Sequence, residues 1–331
     1  MEAYHIERFG SVDGIVLRSS EDPRPGLKEI LMRVRASSLN YRDLMVLKGG
    51  GRGPTKIGVV PLSDGAGEVA AIGEGVTRVK VGDRIAGCFH PRWFGGPISS
   101  DYLTDRLGAN LDGMLAEYAV LSEEALVHLP SHLSFEEAAT LPCAAVTAWV
   151  ALTGHRRVTA GDTVLTQGSG GVSVFALQFA RLLGARVIAT TSTADKAERL
   201  RTLGASDVIN YKETPDWDEK ARELTDGRGV DCVVEIGGPG TVAAQWWCHP
   251  RLNVTNRTKR QPALTQEEGK CRRKRSQSTS SPQRRAQRGR GRPTGCRPRR
   301  RRRILLAIGT LAVLEDRGIA IPAMTGKKTH G

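Results

Sequence analysis

Residues Val164 to Ser173 read VLTQGSGGVS, and VFALQFARLLGA follows from Val174. The first four residues have the apolar character of a buried parallel strand. Gly168, Gly170 and Gly171 then form a tight turn, and the run after it has the pattern of an amphipathic helix. Strand, glycine turn and helix are the opening of a dinucleotide-binding βαβ unit. A pyrophosphate must approach backbone N–H groups at a helix N-terminus, where a Cβ would block it. Gly168, Gly170, Gly171 and Val172 are therefore candidate cofactor-binding positions. A glycine turn with no ligand remains the alternative at this point.

The downstream sequence favours the ligand-binding reading. RVIATTS reads as a second strand, ADKAERLRTLGA as a helix closed by Gly204, and SDVINY as a third strand. DEKARELTDGRG reads as a helix and GVDCVVEIGG as a fourth strand. Such alternation predicts a doubly wound parallel sheet with right-handed crossovers.

Upstream, residues 1–130 are β-rich. GIVLRSS and KEILMRVRASSLN read as strands separated by the PRPG turn. GEVAAIGEGV and GDRIAG are short strands punctuated by glycine, as in a small twisted barrel. NYRDLMVLKGG, from Asn40, reads as a loop leading into one helical turn, and residues 90–112 form a long connection. SFEEAATLPCAAVTAWVAL opens with a capping box, Ser134 with Glu137, and Pro142 divides the run into two helical pieces.

A net charge of +14 conceals two unlike halves. Residues 1–245 carry 26 basic and 31 acidic side chains, whereas residues 246–331 carry 23 and 4. The six cysteines are scattered without a C-x-x-C pair, and no spacing suggests a disulfide framework or zinc ribbon. The N-terminus lacks the apolar stretch of a secretory signal, and ILLAIGTLAVL is too short to span a bilayer. A cytoplasmic protein without membrane association is the expectation.

Five segments together carry a family resemblance. They are SLNYRDLMVLKGG, VPLSDGAGEVAAIGEGVTRVKVGDRIAG, DGMLAEYAV, LPCAAVTAW and TVLTQGSGGVSVFALQFARLLGARVIATTST. Residues 1 to about 245 resemble the medium-chain dehydrogenase/reductases, in their zinc-free quinone oxidoreductase-like branch. The resemblance implies an α/β architecture: a GroES-like β-barrel domain over 1–130 and a Rossmann domain over 131–245, with NADP(H) between them. It also implies hydride transfer to a carbonyl, enone or quinone.

Zinc-dependent relatives offer Cys, His and Cys to the metal. The matching positions here are Asn40, Ser63 and Cys143, and one thiol does not make a three-ligand site. No metal is therefore expected, and Cys143 reads as a small buried apolar residue. The second strand ends Thr190, Thr191, Ser192, without the acidic residue that holds an NAD ribose. Ser192 and Lys196 suit a 2′-phosphate, which favours NADPH, although Lys196 also reads as a solvated helix lysine. The resemblance adds Tyr211 as an adenosine-side contact.

With no metal to polarise the substrate oxygen, hydrogen-bond donors must do so. Asn40 and Tyr41 are the candidates, with Asp43 orienting their loop; the alternative is a loop held by its own side chains. Thr147 either faces the nicotinamide or bonds its own helix. Trp93 and Phe94 either line the cleft or only pack.

Near Gln245 the family pattern stops. Trp246, Trp247, Cys248, His249 and Pro250 stand where a fifth strand is expected, and residues 246–303 are low complexity in Arg, Gly, Pro and Ser. That composition predicts disorder. A disrupted reading frame accounts for it, to be checked in the DNA around codon 245. The sheet is then an incomplete one of four strands, with DCVVEI an exposed apolar edge that residues 304–331 either cover or leave open. Weak or absent catalysis follows. Relatives dimerise through the missing edge, which argues against a homodimer here. The Arg-rich tail also predicts nonspecific, salt-dependent nucleic-acid binding.

Overall fold

The computed structural model describes residues 1–237 and 241, apart from 50–54, 97, 98, 100, 101, 103 and 155. The arginine-rich stretch, ILLAIGTLAVL and the expectations attached to them lie outside the described residues.

The N-terminal half begins with a hairpin of β1 (Glu2–Ile6) and β2 (Ile15–Ser19), paired antiparallel. The strands β3 (Glu29–Ser38), β4 (Asp64–Ile72), β5 (Arg84–Gly87), β6 (Tyr118–Ser122) and β7 (Leu126–His128) form an antiparallel sheet in the order β6-β3-β4-β5-β7. Register shifts between Leu31 and Met32 and between Val34 and Ala36 mark irregularities in the β3–β4 ladder, and such irregularities increase local twist. The sheet encloses Ile30, Met32, Val69, Ile85, Met114 and Leu121, all buried. Gly65 and Gly87 leave room for Met114, whose side chain a Cβ at either would overlap.

Between β3 and β4 lies α1 (Tyr41–Leu47), which is longer than the single turn expected from sequence. Its start has a local cause. The Asn40 backbone N–H donates to Asp43 Oδ2 at 2.7 Å, one arm of a capping box.

After β7 come α2 (Phe135–Ala139), a π-helical turn over Leu141–Ala145 and α3 (Val146–Thr153). Ser134 and Glu137 cap α2 reciprocally, at 3.1 and 2.8 Å. Pro142 lies within the π-helical turn, so the run divides around it as its sequence indicated.

The C-terminal half alternates β8 (Thr163–Thr166), α4 (Gly171–Leu182), β9 (Arg186–Thr191), α5 (Ala194–Thr202), β10 (Asp207–Asn210), α6 (Trp217–Glu223) and β11 (Cys232–Val234). All pairings are parallel, in the order β10-β9-β8-β11. One face buries Val164, Val187 and Val234 with Ala148, Val172 and Ala176 of α3 and α4. The other buries Leu165, Ile188, Ile209 and Val233 with Trp217 and Ala221 of α6. Helices thus cover both faces, as the alternation requires. Among the described residues β11 pairs only with β8.

Candidate functional site

Two sets of residues need a chemical account: the carboxyl ends of the parallel strands, and the α1 cap with the elements behind it.

At the first, Gly168 has φ +73°, a left-handed conformation that favours glycine, and a Cβ there would meet open space. Its N–H donates to Thr190 Oγ1 at 3.2 Å. Gly170 caps α4 in extended conformation and Gly171 begins the helix. Val172 is fully buried in the core, so its backbone N–H is what it can offer a phosphate. Ser173 takes the place of a third glycine. Its buried hydroxyl donates to the Gln167 carbonyl at 2.6 Å and fixes the end of β8.

Ser192 follows β9 directly, half-buried. Lys196 sits in the first turn of α5, where its N–H meets the capping Thr193 hydroxyl at 3.4 Å. Tyr211 is exposed, and its N–H donates to the Thr191 carbonyl at 2.9 Å, tying the ends of β9 and β10 together. The parallel pairing therefore sets Gly168, Ser192 and Tyr211 at one end of the sheet. Three buried side chains there have unpartnered polar atoms: the hydroxyls of Thr166 and Thr191, and both amide atoms of Gln167. Unmet buried polar groups at the carboxyl ends of strands, beside an open glycine turn, fit a polar ligand.

At the second set, Asn40 is buried and Tyr41, the first residue of α1, is half exposed. Burial raises the Asp43 carboxyl to about 7, against the opposing Arg42 guanidinium 3.1 Å away and the Asn40 N–H; Asp64 raises it further. Arg42 also donates to the Leu107 carbonyl at 3.0 Å and stacks over Phe89 at 4.7 Å. Asp64 is fully buried and accepts the Ser63 hydroxyl at 2.6 Å and the Cys143 N–H at 2.9 Å. Burial raises its carboxyl too; the Ser63, Asn40 and Cys143 donors and then Arg42 oppose the rise. The Asn40 amide is near enough to favour the Asp64 anion, yet Nδ2 has no partner at hydrogen-bonding geometry.

Burial, then Asp64, pushes the Cys143 thiol up to about 12, where it keeps its proton. No group of three or more His, Cys, Asp or Glu suited to a metal occurs among the described residues. Thr147 is half-buried in the first turn of α3. Trp93 and Phe94 are exposed, with Trp93 Nε1 tied locally to the Gly95 and Gly96 carbonyls at 3.0 and 3.1 Å.

The structure thus gathers Asn40 and Asp43 with Asp64, Ser63 and Cys143, and separately gathers Gly168, Ser192 and Tyr211. Sequence reading missed Asp64 and Gln167. The one signal for Asp64 was a carboxylate placed at the start of a glycine- and alanine-rich strand.

Two family models match the chain: an alcohol dehydrogenase GroES-like domain over residues 26–131 and a zinc-binding dehydrogenase over 171–246. A zinc-type alcohol dehydrogenase-like protein of Schizosaccharomyces pombe is 46% identical over 222 residues, 66% of this chain and 64% of that protein. The chain thus spans just under two thirds of that relative. A solved NAD-dependent alcohol dehydrogenase is 36% identical with TM-score 0.68, covering 76% of this chain and 75% of that one. Escherichia coli quinone oxidoreductase complexed with NADPH is 25% identical with TM-score 0.65, covering 75% and 70%. No helix of the described residues is long and apolar enough to cross a membrane.

Proposed function

The chain belongs to the medium-chain dehydrogenase/reductase superfamily, and on that premise we propose that it binds NADPH and serves zinc-free hydride transfer to a small carbonyl, enone or quinone. One observation carries the cofactor assignment. The Gly168–Gly171 turn, open at Gly168, shares a sheet end with Ser192 and Tyr211, and β9 ends there without a carboxylate. A carboxylate at that point would suit the NAD ribose and repel a 2′-phosphate.

In this reading Gly168, Gly170, Gly171 and the Val172 N–H hold the pyrophosphate, Ser192 and Lys196 the 2′-phosphate, and Tyr211 the adenosine. Thr147 lies on the nicotinamide side. The bound nicotinamide supplies the hydride. Asn40 Nδ2, a buried donor beside Asp64 with no partner at hydrogen-bonding geometry among the described residues, stabilises negative charge growing on the substrate oxygen, and the Tyr41 hydroxyl is a second donor. Asp43 fixes both through its bond to the Asn40 N–H. Asn40 and Ser63 offer no thiolate or imidazole beside Cys143, and Asp64 is engaged by two donors, which speaks against a zinc ligand set at that place.

The family strands that follow β11 have no legible counterpart after Gln245. In this reading the adenosine side is better built than the nicotinamide side, and turnover is weak. The test is titration of NADPH into the purified full chain, followed by NADPH consumption with quinones and small aldehydes. Binding with little turnover is expected. Rapid turnover overturns the impairment, and absence of binding overturns the cofactor assignment.

A further inference from the structure

We propose that Gln167 reads the ribose on the nicotinamide side of the bound dinucleotide, through its side-chain amide; this rests on the cofactor reading above. Gln167 stands between β8 and Gly168 and is 5% exposed. Among the described residues neither Nε2 nor Oε1 has a hydrogen-bond partner. A buried amide left unmet costs stability. The Gln167 carbonyl takes the Ser173 hydroxyl, while its side-chain amide is uncommitted among the described residues.

Its place in the sheet says which part of a ligand it meets. Val234 is in register with Thr166, so Gln167 lies beside Glu235, one residue past the ladder of β8 and β11. A Cβ on Gly237 would come within 3.2 Å of Gln167 Oε1. The amide therefore occupies the crevice between the ends of β8 and β11. The Ser192 and Tyr211 positions follow β9 and β10, on the other side of β8. A dinucleotide with its adenosine there and its pyrophosphate on the glycine turn carries its second ribose into the Gln167 crevice. A cis-diol both donates and accepts, and an amide answers both roles.

The amide is then a binding group retained at a cost to the free protein, which separates it from a structural role. Gln167→Leu keeps the side-chain bulk and removes the unmet polar atoms. In the full chain, calorimetric titration with NADPH is expected to show about tenfold weaker binding for the variant, the size of one lost buried hydrogen bond. Adenosine 2′,5′-bisphosphate, which lacks the second ribose, should bind both proteins alike. The ligand-free thermal midpoint of the variant should equal or exceed that of the unaltered chain. Gln167→Asn, which retracts the amide by one methylene, should show the same selective loss and serves if the leucine variant does not fold. Equal loss for both ligands, or unchanged NADPH affinity, overturns the proposal while leaving the cofactor reading in place. A lowered midpoint with loss of both ligands makes Gln167 structural and overturns it too. If the unaltered chain binds neither ligand, both readings fall.

Discussion

Asp64 Oδ2 accepts the backbone N–H of Cys143 at 2.9 Å, joining β4 to the π-helical turn that leads into the parallel-sheet half. Its other oxygen holds the Ser63 hydroxyl at 2.6 Å. Asp64→Ala strands both donors in the interior and should destabilise the fold by roughly 1–3 kcal/mol. Asp64→Asn keeps an acceptor for Cys143 and should cost less. Thermal unfolding of the three proteins checks this; identical midpoints for the alanine variant and the unaltered chain contradict it.

Asp43 makes stability depend on pH. Its carboxyl ionises at about 7 in the folded chain, against the ordinary value of 3.8. Between those values the folded state holds a proton that the unfolded state has released. Stability from this group is therefore full below about pH 4 and declines as pH rises toward 7. Denaturant unfolding across that range should show the decline, and Asp43→Asn should reduce it, leaving the share that the raised Asp64 carboxyl contributes. A variant with the unaltered slope would assign the dependence to other groups.

Metal should be irrelevant to this chain. With Asn40 and Ser63 at two of the three positions that carry ligands in zinc-dependent relatives, and Asp64 turned to the Ser63 hydroxyl and the Cys143 N–H, added zinc finds no three-ligand set at that place. Purified protein should contain substoichiometric zinc by elemental analysis, and a chelator should leave its thermal midpoint unchanged. A stoichiometric metal whose removal lowers the midpoint would refute the zinc-free assignment.

The extent of what could be read from sequence follows the range of the interactions. The sheet was legible because VLTQGSGGVS and its successors carry local signals: apolar strands, glycine turns and helix periodicity. The Ser134–Glu137 cap was equally local, with a spacing of three. The Asn40–Asp43 cap has that same spacing but an Asp in place of Glu or Gln, and the helix it starts was read as one turn. Asp64 and Gln167 were invisible for a different reason. What matters about Asp64 is Cys143, distant in sequence, and what matters about Gln167 is a partner it lacks. Neither a long-range contact nor an unmet hydrogen bond leaves a periodic trace.

Cofactor preference offers the sharpest check on the strand-end reading. Ser192 follows β9 where dinucleotide folds that take NAD place a carboxylate. Ser192→Glu puts a negative charge against a 2′-phosphate and a hydrogen-bond acceptor against a ribose 2′-hydroxyl. NADPH affinity should fall by about tenfold or more, the scale of ~1.4 kcal/mol, while NADH affinity holds or rises. Lys196→Ala should weaken NADPH alone, since only the phosphate calls for its charge. Measuring both nucleotides by fluorescence titration on each variant separates the cases. A parallel fall for NADPH and NADH would mean that the substitution disturbs the end of β9, and would remove Ser192 from the 2′-phosphate site.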